Sequence, residues 1–174
     1  MQLTNNAREA AEQLDIPMGF ISIAQPEVVD APSGVGTLPI GESTVMYRGR
    51  AAEKLAEKVE KYPWQTFTEC PYEDLKEPGR LHVDPLGNLH ICQGISIGNI
   101  FQCSLKEHVN SYVPETHPIC GPILEGGPAA LVNRYDLSHQ DFYADACHLC
   151  DDSCRKLRSK FPDILLPDQM FGNY

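Results

Sequence analysis

The segment Arg80-Leu-His-Val-Asp-Pro-Leu-Gly-Asn-Leu-His-Ile-Cys92 predicts a β-hairpin. Its two arms, Arg80–Asp84 and Asn88–Cys92, are short runs with the length of ordinary strands. Between them, Pro85 presets φ for the first turn position, and Gly87 supplies the positive φ that a tight hairpin turn usually needs. The segment therefore predicts an antiparallel pair of strands whose second member ends on a cysteine.

Four thiols are predicted to converge on one metal centre. Cys92 ends the hairpin, Cys70 lies upstream, and Cys147 and Cys150 form a CxxC at the start of a predicted helix. Two thiolates separated by two residues can bind one metal ion or one edge of a cluster, and a helix N-terminus stabilises their negative charge. A redox CxxC of the thioredoxin kind would instead require a βαβ context, which the sequence around Cys147 lacks.

The other cysteines and the hairpin histidines have competing interpretations. Cys154 lies one helical turn after the CxxC, so both metal ligation and packing stay open for it. Cys103 and Cys120 are isolated, and free cysteine is among the most buried residue types, which favours packing for both. His82 and His90 lie across the predicted hairpin, where cross-strand packing is the expected role.

The composition indicates a globular protein and excludes several functional classes. With 174 residues, the chain suits one domain or a domain and a partial one, and it can bury a real core. Its net charge of −10 argues against a nucleic-acid or anionic membrane surface, because both require a positive footprint. No apolar run approaches the roughly 20 residues of a membrane span, and the first residues lack the apolar core of a secretory signal. We therefore expect a cytoplasmic protein, in whose reducing environment the seven cysteines favour metal binding over disulfides.

The N-terminal part is predicted to contain one helix, two strands and a long loop. A helix over Thr4–Leu14 is followed by an apolar strand over Ile16–Ala24, an order that resembles one αβ step of a parallel sheet. Pro26–Gly41 is rich in proline and glycine and is predicted to be a long loop. A short strand is predicted over Glu42–Tyr47.

Four helices are predicted in the rest of the chain, over Arg50–Tyr62, Ser104–Tyr112, Pro128–Tyr135 and about Ala144–Lys160. The second opens on a Ser-x-x-Glu capping box, and the third has proline in its first turn after a double glycine. Trp64–Cys70 is aromatic and is expected to be extended. Helices around an antiparallel hairpin favour an α+β fold.

Two arginines, Arg48 and Arg50, lie at the start of the first of these helices. Two interpretations stay open for them, solvated charge at a helix end or contact with an anion or carboxylate. The sequence contains no GxSxG, phosphate-binding loop, HExxH or GxGxxG motif, so it predicts no catalytic residue.

A spaced pattern of cysteines and glycines connects the hairpin with the CxxC. Cys70-x16-Gly87-x4-Cys92 is followed by the run Ile97-Gly98-Asn99-Ile100 and, after a long gap, by Cys147-x2-Cys150. This pattern, over roughly residues 64–160, resembles the SPASM/twitch extension of radical SAM enzymes. In that extension a β-hairpin and a later CxxC-containing helix hold auxiliary [4Fe–4S] clusters. The hairpin glycine and cysteine with the following Gly-Asn-Ile run are the specific part of the match.

The resemblance implies one [4Fe–4S] cluster, held by Cys70, Cys92, Cys147 and Cys150. The first spacer is slightly longer than usual, and the CxxCxxxC run is shorter than a full SPASM run, as in the twitch case. The resemblance further implies that residues 1–50 are the remnant of a (β/α) barrel end with a linker. Residues 51–174 would then form the iron–sulfur module, a β-hairpin with helices.

The resemblance also implies an accessory function. The radical SAM core motif CxxxCxxC is absent, so we expect no S-adenosylmethionine cleavage by this chain alone. Electron relay or substrate positioning is the expected role, beside a radical SAM core protein or a missing N-terminal domain. A structural zinc-binding interaction module is the alternative, because four cysteines satisfy zinc equally well. A metal-free fold with reduced cysteines is the second alternative.

Overall fold

The computed structural model describes residues 9–10, 12–14 and 45–171, and the last of these ranges forms an α+β fold. Its helices are α1 (Arg50–Lys54), α2 (Leu105–Ser111), α3 (Cys120–Tyr135) and α4 (Ala146–Leu157). Its strands are β1 (Tyr62–Pro63), β2 (His82–Val83), β3 (Asn88–Cys92), β4 (Ile95–Asn99) and β5 (Phe142–Tyr143). They pair as two small antiparallel sheets, β1–β5 and β2–β3–β4, and the described residues form no barrel.

The predicted hairpin is confirmed as β2 and β3. His82 and His90 are register partners, so the two histidines lie opposite each other as predicted. Gly87 has a φ of 82°, the left-handed conformation that closes the turn. Strand β4 pairs with the other edge of β3, which places β3 at the centre of its sheet with its first four side chains buried.

A buried carboxylate organises the hairpin turn. Asp84 accepts hydrogen bonds from the backbone N–H of Leu86 at 2.8 Å and of Asn88 at 3.0 Å, and from the side-chain amide of Asn88 at 2.8 Å. The Nε2 atom of His90 lies 3.1 Å from the same carboxylate. Burial raises the pKa of Asp84, but the hydrogen bonds from Asn88 and His90 lower it by more, to about 2. The turn is therefore held by an ionised side chain through charge-assisted hydrogen bonds.

The three-stranded sheet packs against α3, α4 and the C-terminal segment to form the main core. Ile91 of β3, Ile95 of β4, Leu131 of α3 and Leu157 of α4 are buried in one cluster. Leu165 joins this cluster and forms a β-bridge with Ile95. Because these contacts fix β3 against α4, they also fix the segments that carry Cys92 and the CxxC.

Helix α2 begins with the predicted capping box. The side chain of Ser104 accepts the N–H of Glu107 at 3.3 Å, and the Glu107 carboxylate accepts the N–H of Ser104 at 2.8 Å. Two backbone donors of the first turn are thereby satisfied, which is the reason that this sequence pattern begins helices.

Helix α3 consists of two helical segments joined by a kink at the double glycine. Gly126 (φ −171°, ψ 37°) and Gly127 (φ 64°, ψ −166°) are both non-helical. Pro128 begins the second segment, as predicted for a helix over Pro128–Tyr135, because a proline costs no helical hydrogen bond in a first turn.

The predicted helix over Arg50–Tyr62 is wrong beyond Lys54. Helix α1 ends there, Ala56–Lys58 forms a 3₁₀ turn, and Tyr62 lies in β1. Tyr62 pairs with Tyr143 of β5, so a long-range strand pairing outweighs the helical spacing of the local apolar residues.

Two other boundaries differ from their predictions. Trp64–Thr66, at the start of the stretch predicted to be extended, is a 3₁₀ turn whose first residue is anchored by its N–H to the Asp141 carbonyl at 3.0 Å. The last predicted helix, over about Ala144–Lys160, is confirmed in place but spans Ala146–Leu157 as α4. Its start is set by Asp145, which has extended dihedrals and acts as the N-cap.

Most of the predicted N-terminal elements fall on residues that the structure does not describe. The strand over Ile16–Ala24 and the loop over Pro26–Gly41 lie outside the described residues. Residues 9–10 and 12–13, within the predicted helix over Thr4–Leu14, are helical, whereas residues 45–47, the end of the strand predicted over Glu42–Tyr47, are not in a strand.

The predicted barrel remnant over residues 1–50 lies mostly in the same undescribed part, so the division of the chain at residue 50 stays a prediction. Residues 47 and 49 hydrogen-bond through their backbone N–H groups to Asp145 and Asp151, near the start of α4. The helices that the structure describes are all too short or too polar to cross a membrane.

Candidate metal centre

The structure brings the four predicted ligands together. Cys70, Cys92, Cys147 and Cys150 line one cavity that is partly open to solvent. The other residues lining it are all apolar: Pro71, Leu75, Ile95, Ile123, Pro128 and Ala146. Sulfur is therefore the one type of side-chain donor that this cavity offers.

The hairpin register places Cys92. This residue ends β3 and pairs with Ile95 across the turn into β4. Ile91, directly before it, is completely buried in the main core and anchors the end of the strand. The position of the Cys92 thiol thus follows from the same pairing that defines the hairpin.

The start of α4 places Cys147 and Cys150. The carboxylate of Asp145 caps the helix by accepting the N–H of His148 at 2.7 Å. Leu149 is completely buried and fixes the rotation of the first turns. The partial positive charge of the helix N-terminus stabilises anionic sulfur near this end of the helix.

Cys70 comes from a loop that passes over the kink of α3. The carbonyl of Phe67 accepts the N–H of Ala129 at 3.1 Å, and the backbone of Glu69 lies directly against Gly127. These contacts dock the residues before Cys70 onto α3. The double glycine, interpreted from the sequence as a helix opening, therefore also positions a predicted ligand.

Cys154 does not line the cavity that the four predicted ligands share. A second cavity is lined by Cys92, Cys147 and Cys150 together with Cys154. The Cys154 side chain is buried, and its sulfur is 4.0 Å from that of Cys150. The three shared thiols thus have a candidate fourth partner on each side, Cys70 or Cys154.

A guanidinium from outside the predicted ligand set reaches the second cavity. Nη1 of Arg48 donates a hydrogen bond to Sγ of Cys92 at 3.1 Å. The sequence left Arg48 open between solvated charge and an anion contact, and the structure shows it bound to a thiol. The two residues are 44 positions apart, so no local pattern could have identified this contact.

Burial disfavours the thiolate form at this site. It raises the pKa of Cys92 to about 12, although Arg48 opposes the shift, and it raises the pKa of Cys147. The pKa of Cys150 is raised by its hydrogen bond with Cys154 and by burial. Redox and nucleophilic cysteines have lowered pKa values instead, so the CxxC does not have the environment of a thiol-redox pair. A bound cation is what would hold these sulfurs as thiolates.

Among the described residues, no three His, Cys, Asp or Glu side chains form a group that could hold one metal ion. A tetrahedral zinc ion with Zn–S bonds of about 2.3 Å needs its sulfurs about 3.8 Å apart. A four-iron cluster separates its thiolates further, because each thiolate binds a different iron. The sulfurs of the described residues around this cavity therefore do not form a closed single-ion site.

The other two cysteines line neither cavity. Cys120 is completely buried in the main core, so packing is confirmed for it. The expected burial of Cys103 is wrong, because this residue is exposed. Its sulfur lies 3.1 Å from Nε2 of His108, and Nε2 lies 2.9 Å from the carbonyl of Asn99.

Comparison with known proteins assigns no family to this chain. No family model, curated protein or solved structure matches it. The resemblance to the SPASM/twitch extension thus stays a prediction from the residues that carry it. The shared cavity of the four cysteines is the observation from which a function can be inferred.

Proposed function

We propose that this chain is an accessory iron–sulfur module that holds one [4Fe–4S] cluster through Cys70, Cys92, Cys147 and Cys150. The observation that carries the proposal is their common cavity, to which a loop, a strand end and a helix start each contribute. Three separate segments of the fold thus bring together four thiols and no other side-chain donor.

The donor set fits this group. Cysteine thiolates are the usual ligands of [4Fe–4S] clusters, and soft sulfur donors disfavour magnesium, calcium and manganese. The apolar side chains of Leu75, Ile95 and Ile123 line the same cavity and limit the access of water to the sulfurs. When bound, such a cluster supplies a centre that gains or loses one electron.

Coordination by four protein thiolates favours electron relay over substrate ligation, because it leaves no iron position open. In this role a reduced electron-carrier protein supplies one electron, and a radical SAM core protein or domain accepts it. The chain's own residues hold the thiolates, exclude water and set the electrostatic environment of the site.

Anaerobic purification, followed by reconstitution with iron and sulfide, tests the proposal. We expect a brown protein that contains iron and acid-labile sulfide in equal amounts and little zinc. A colourless protein with stoichiometric zinc would contradict the proposal and support the structural zinc-binding module. A chain that binds neither metal would contradict both.

Single Cys→Ser variants identify the ligands. We expect Cys70→Ser, Cys92→Ser, Cys147→Ser and Cys150→Ser each to lose most of the bound iron. Cys103→Ser is the matched control, because its thiol is exposed and lies outside the cavity. If the Cys92→Ser variant kept its full iron content, the hairpin would supply no ligand to the cluster.

A further inference from the structure

We infer that Arg48 is a positioning residue that holds the Cys92 sulfur and sets the reduction potential of the centre. The inference rests on the proposed function, since it concerns the environment of a ligand to the same cluster. It assigns a role to a residue outside the four thiols, one that lines the second cavity and not the cavity that Cys70 lines.

The contact is direct. Nη1 of Arg48 donates to Sγ of Cys92 at 3.1 Å, and Arg48 lines a cavity together with Cys92, Cys147 and Cys150. A guanidinium is always charged and holds its donors in a fixed plane. Arg48 therefore presents a permanent positive charge to one ligand of the proposed cluster and lies near two others.

The backbone around Arg48 is fixed on both sides. The N–H of Tyr47 donates to a carboxylate oxygen of Asp145 at 3.3 Å, and the N–H of Gly49 donates to one of Asp151 at 3.1 Å. Asp145 immediately precedes α4 and Asp151 immediately follows Cys150. The two carboxylates thus bracket the CxxC and hold the Arg48 backbone against the helix that carries it.

One of these carboxylates is itself fixed. Asp151 accepts a hydrogen bond from Nε of Arg155 at 2.7 Å, and Arg155 also binds Glu53 of α1 through Nη1 at 3.0 Å. Arg48 thus lies in a segment whose position is determined by several bonds, as expected for a residue that positions a ligand. A surface arginine whose charge is merely solvated has no need of such support.

The contact with Arg48 should give the cluster a higher reduction potential than it would have without the guanidinium. A hydrogen bond to a cluster thiolate, together with a nearby positive charge, favours the reduced state because that state carries one more negative charge. Removing the guanidinium should therefore make the cluster harder to reduce. A residue that only filled space would not change the potential in this direction.

The test is a redox titration of the reconstituted full chain, in which electron paramagnetic resonance measures the reduced cluster. We expect Arg48→Gln to lower the equilibrium constant for one-electron reduction by about tenfold, which corresponds to a shift of about 59 mV towards negative potential. Arg50→Gln is the matched control, because Arg50 is the same residue type, two positions away and exposed. It should leave the potential unchanged.

Arg48→Lys retains the charge without the planar fork of donors and should give a smaller negative shift than Arg48→Gln. If Arg48→Gln fails to keep its cluster, retention of the cluster by Arg48→Lys supports the inference. Equal loss from both variants assigns Arg48 a packing role and overturns it. An unchanged potential in a cluster-containing Arg48→Gln variant overturns this inference alone, whereas a wild-type chain without a cluster overturns the proposed function with it.

Discussion

Gly127 of α3 lies so close to the backbone of Glu69 that a side chain at position 127 would overlap it. The contact lies at the kink of α3, where Gly127 has a φ of 64°. The carbonyl of Phe67 accepts the N–H of Ala129 beside it. The kink is therefore a docking point for the loop that carries Cys70.

A Gly127→Ala substitution should consequently affect both stability and metal binding. We expect a loss of at least about 2 kcal/mol in the free energy of unfolding, because the left-handed conformation disfavours alanine and the new methyl group overlaps backbone. Urea denaturation measures this loss. The bound iron should also fall, since the loop before Cys70 must move away from α3.

The neighbouring glycine provides the control for this prediction. The φ of Gly126 lies outside the left-handed region, and a β-carbon there would make an ordinary contact with Ala130. Gly126→Ala should change the free energy of unfolding by no more than about 0.5 kcal/mol. Similar losses in both variants would show that the close approach to Glu69 is unimportant.

Local signals were sufficient for part of the fold. The proline–glycine turn of the hairpin and the capping box of α2 depend on residues close in sequence, and both predictions are confirmed. The helix predicted over Arg50–Tyr62 failed because Tyr62 pairs with Tyr143, a partner about 80 positions away. A pairing between residues so far apart cannot be predicted from the local sequence.

The candidate site, too, could be predicted only in part from the sequence. The spacing of Cys92, Cys147 and Cys150 was visible in the sequence, because the hairpin and the helix that carry them have local signatures. The contact of Arg48 with Cys92 was not visible, nor was the docking of the Cys70 loop on Gly127. Both depend on how separate segments pack, which periodicity and spacing do not report.

The Asp84 carboxylate should make the hairpin sensitive to strong acid. Its pKa is lowered to about 2, so its contribution to stability is present above its ordinary pKa of about 3.8 and is lost as the pH falls through about 2. We expect Asp84→Asn to lower the free energy of unfolding by about 2 kcal/mol at neutral pH, since it replaces an anion that accepts several hydrogen bonds. The difference from the wild type should narrow as the pH approaches 2.

Urea titrations between neutral pH and pH 2 measure this difference. Asp74→Asn is the control, because Asp74 also accepts two backbone N–H groups, from Lys76 and Glu77, but in an exposed turn. Asp74→Asn should lower the free energy of unfolding by less than Asp84→Asn does. An Asp84→Asn variant whose deficit stays constant with pH would contradict the role of the ionised carboxylate.

His117 should make the start of α3 sensitive to mild acid. Its Nδ1 accepts the N–H groups of Ile119 at 3.2 Å and Cys120 at 3.1 Å, so Nε2 carries the proton and faces the carbonyl of Ser96 at 3.3 Å. Burial lowers the pKa of His117, which keeps the ring neutral. The stability that it contributes is therefore present above its ordinary pKa of about 6.5 and is lost as the pH falls below that value.

We expect His117→Ala to lower the free energy of unfolding by about 1 kcal/mol at pH 8, which is the usual contribution of a helix cap. It should also remove part of the loss of stability that the wild type shows below about pH 6.5. His82→Ala is the control, because His82 is exposed on the edge strand β2. Thermal unfolding from pH 8 to pH 5 compares the variants, and parallel curves for wild type and His117→Ala would contradict this interpretation.

The choice between Cys70 and Cys154 as the fourth ligand can be decided with a pair of variants. Cys70 shares an entirely apolar cavity with the other three thiols, whereas Cys154 is buried within α4, 4.0 Å from Cys150. We therefore expect Cys154→Ala to retain the wild-type ratio of iron to protein and Cys70→Ala to lose most of its iron. Cys154→Ala should cost about 1 kcal/mol in the free energy of unfolding, since it removes one buried sulfur atom. The opposite pattern, iron retained by Cys70→Ala and lost by Cys154→Ala, would place the cluster in the cavity that Arg48 lines and leave the loop over Gly127 with a purely structural role.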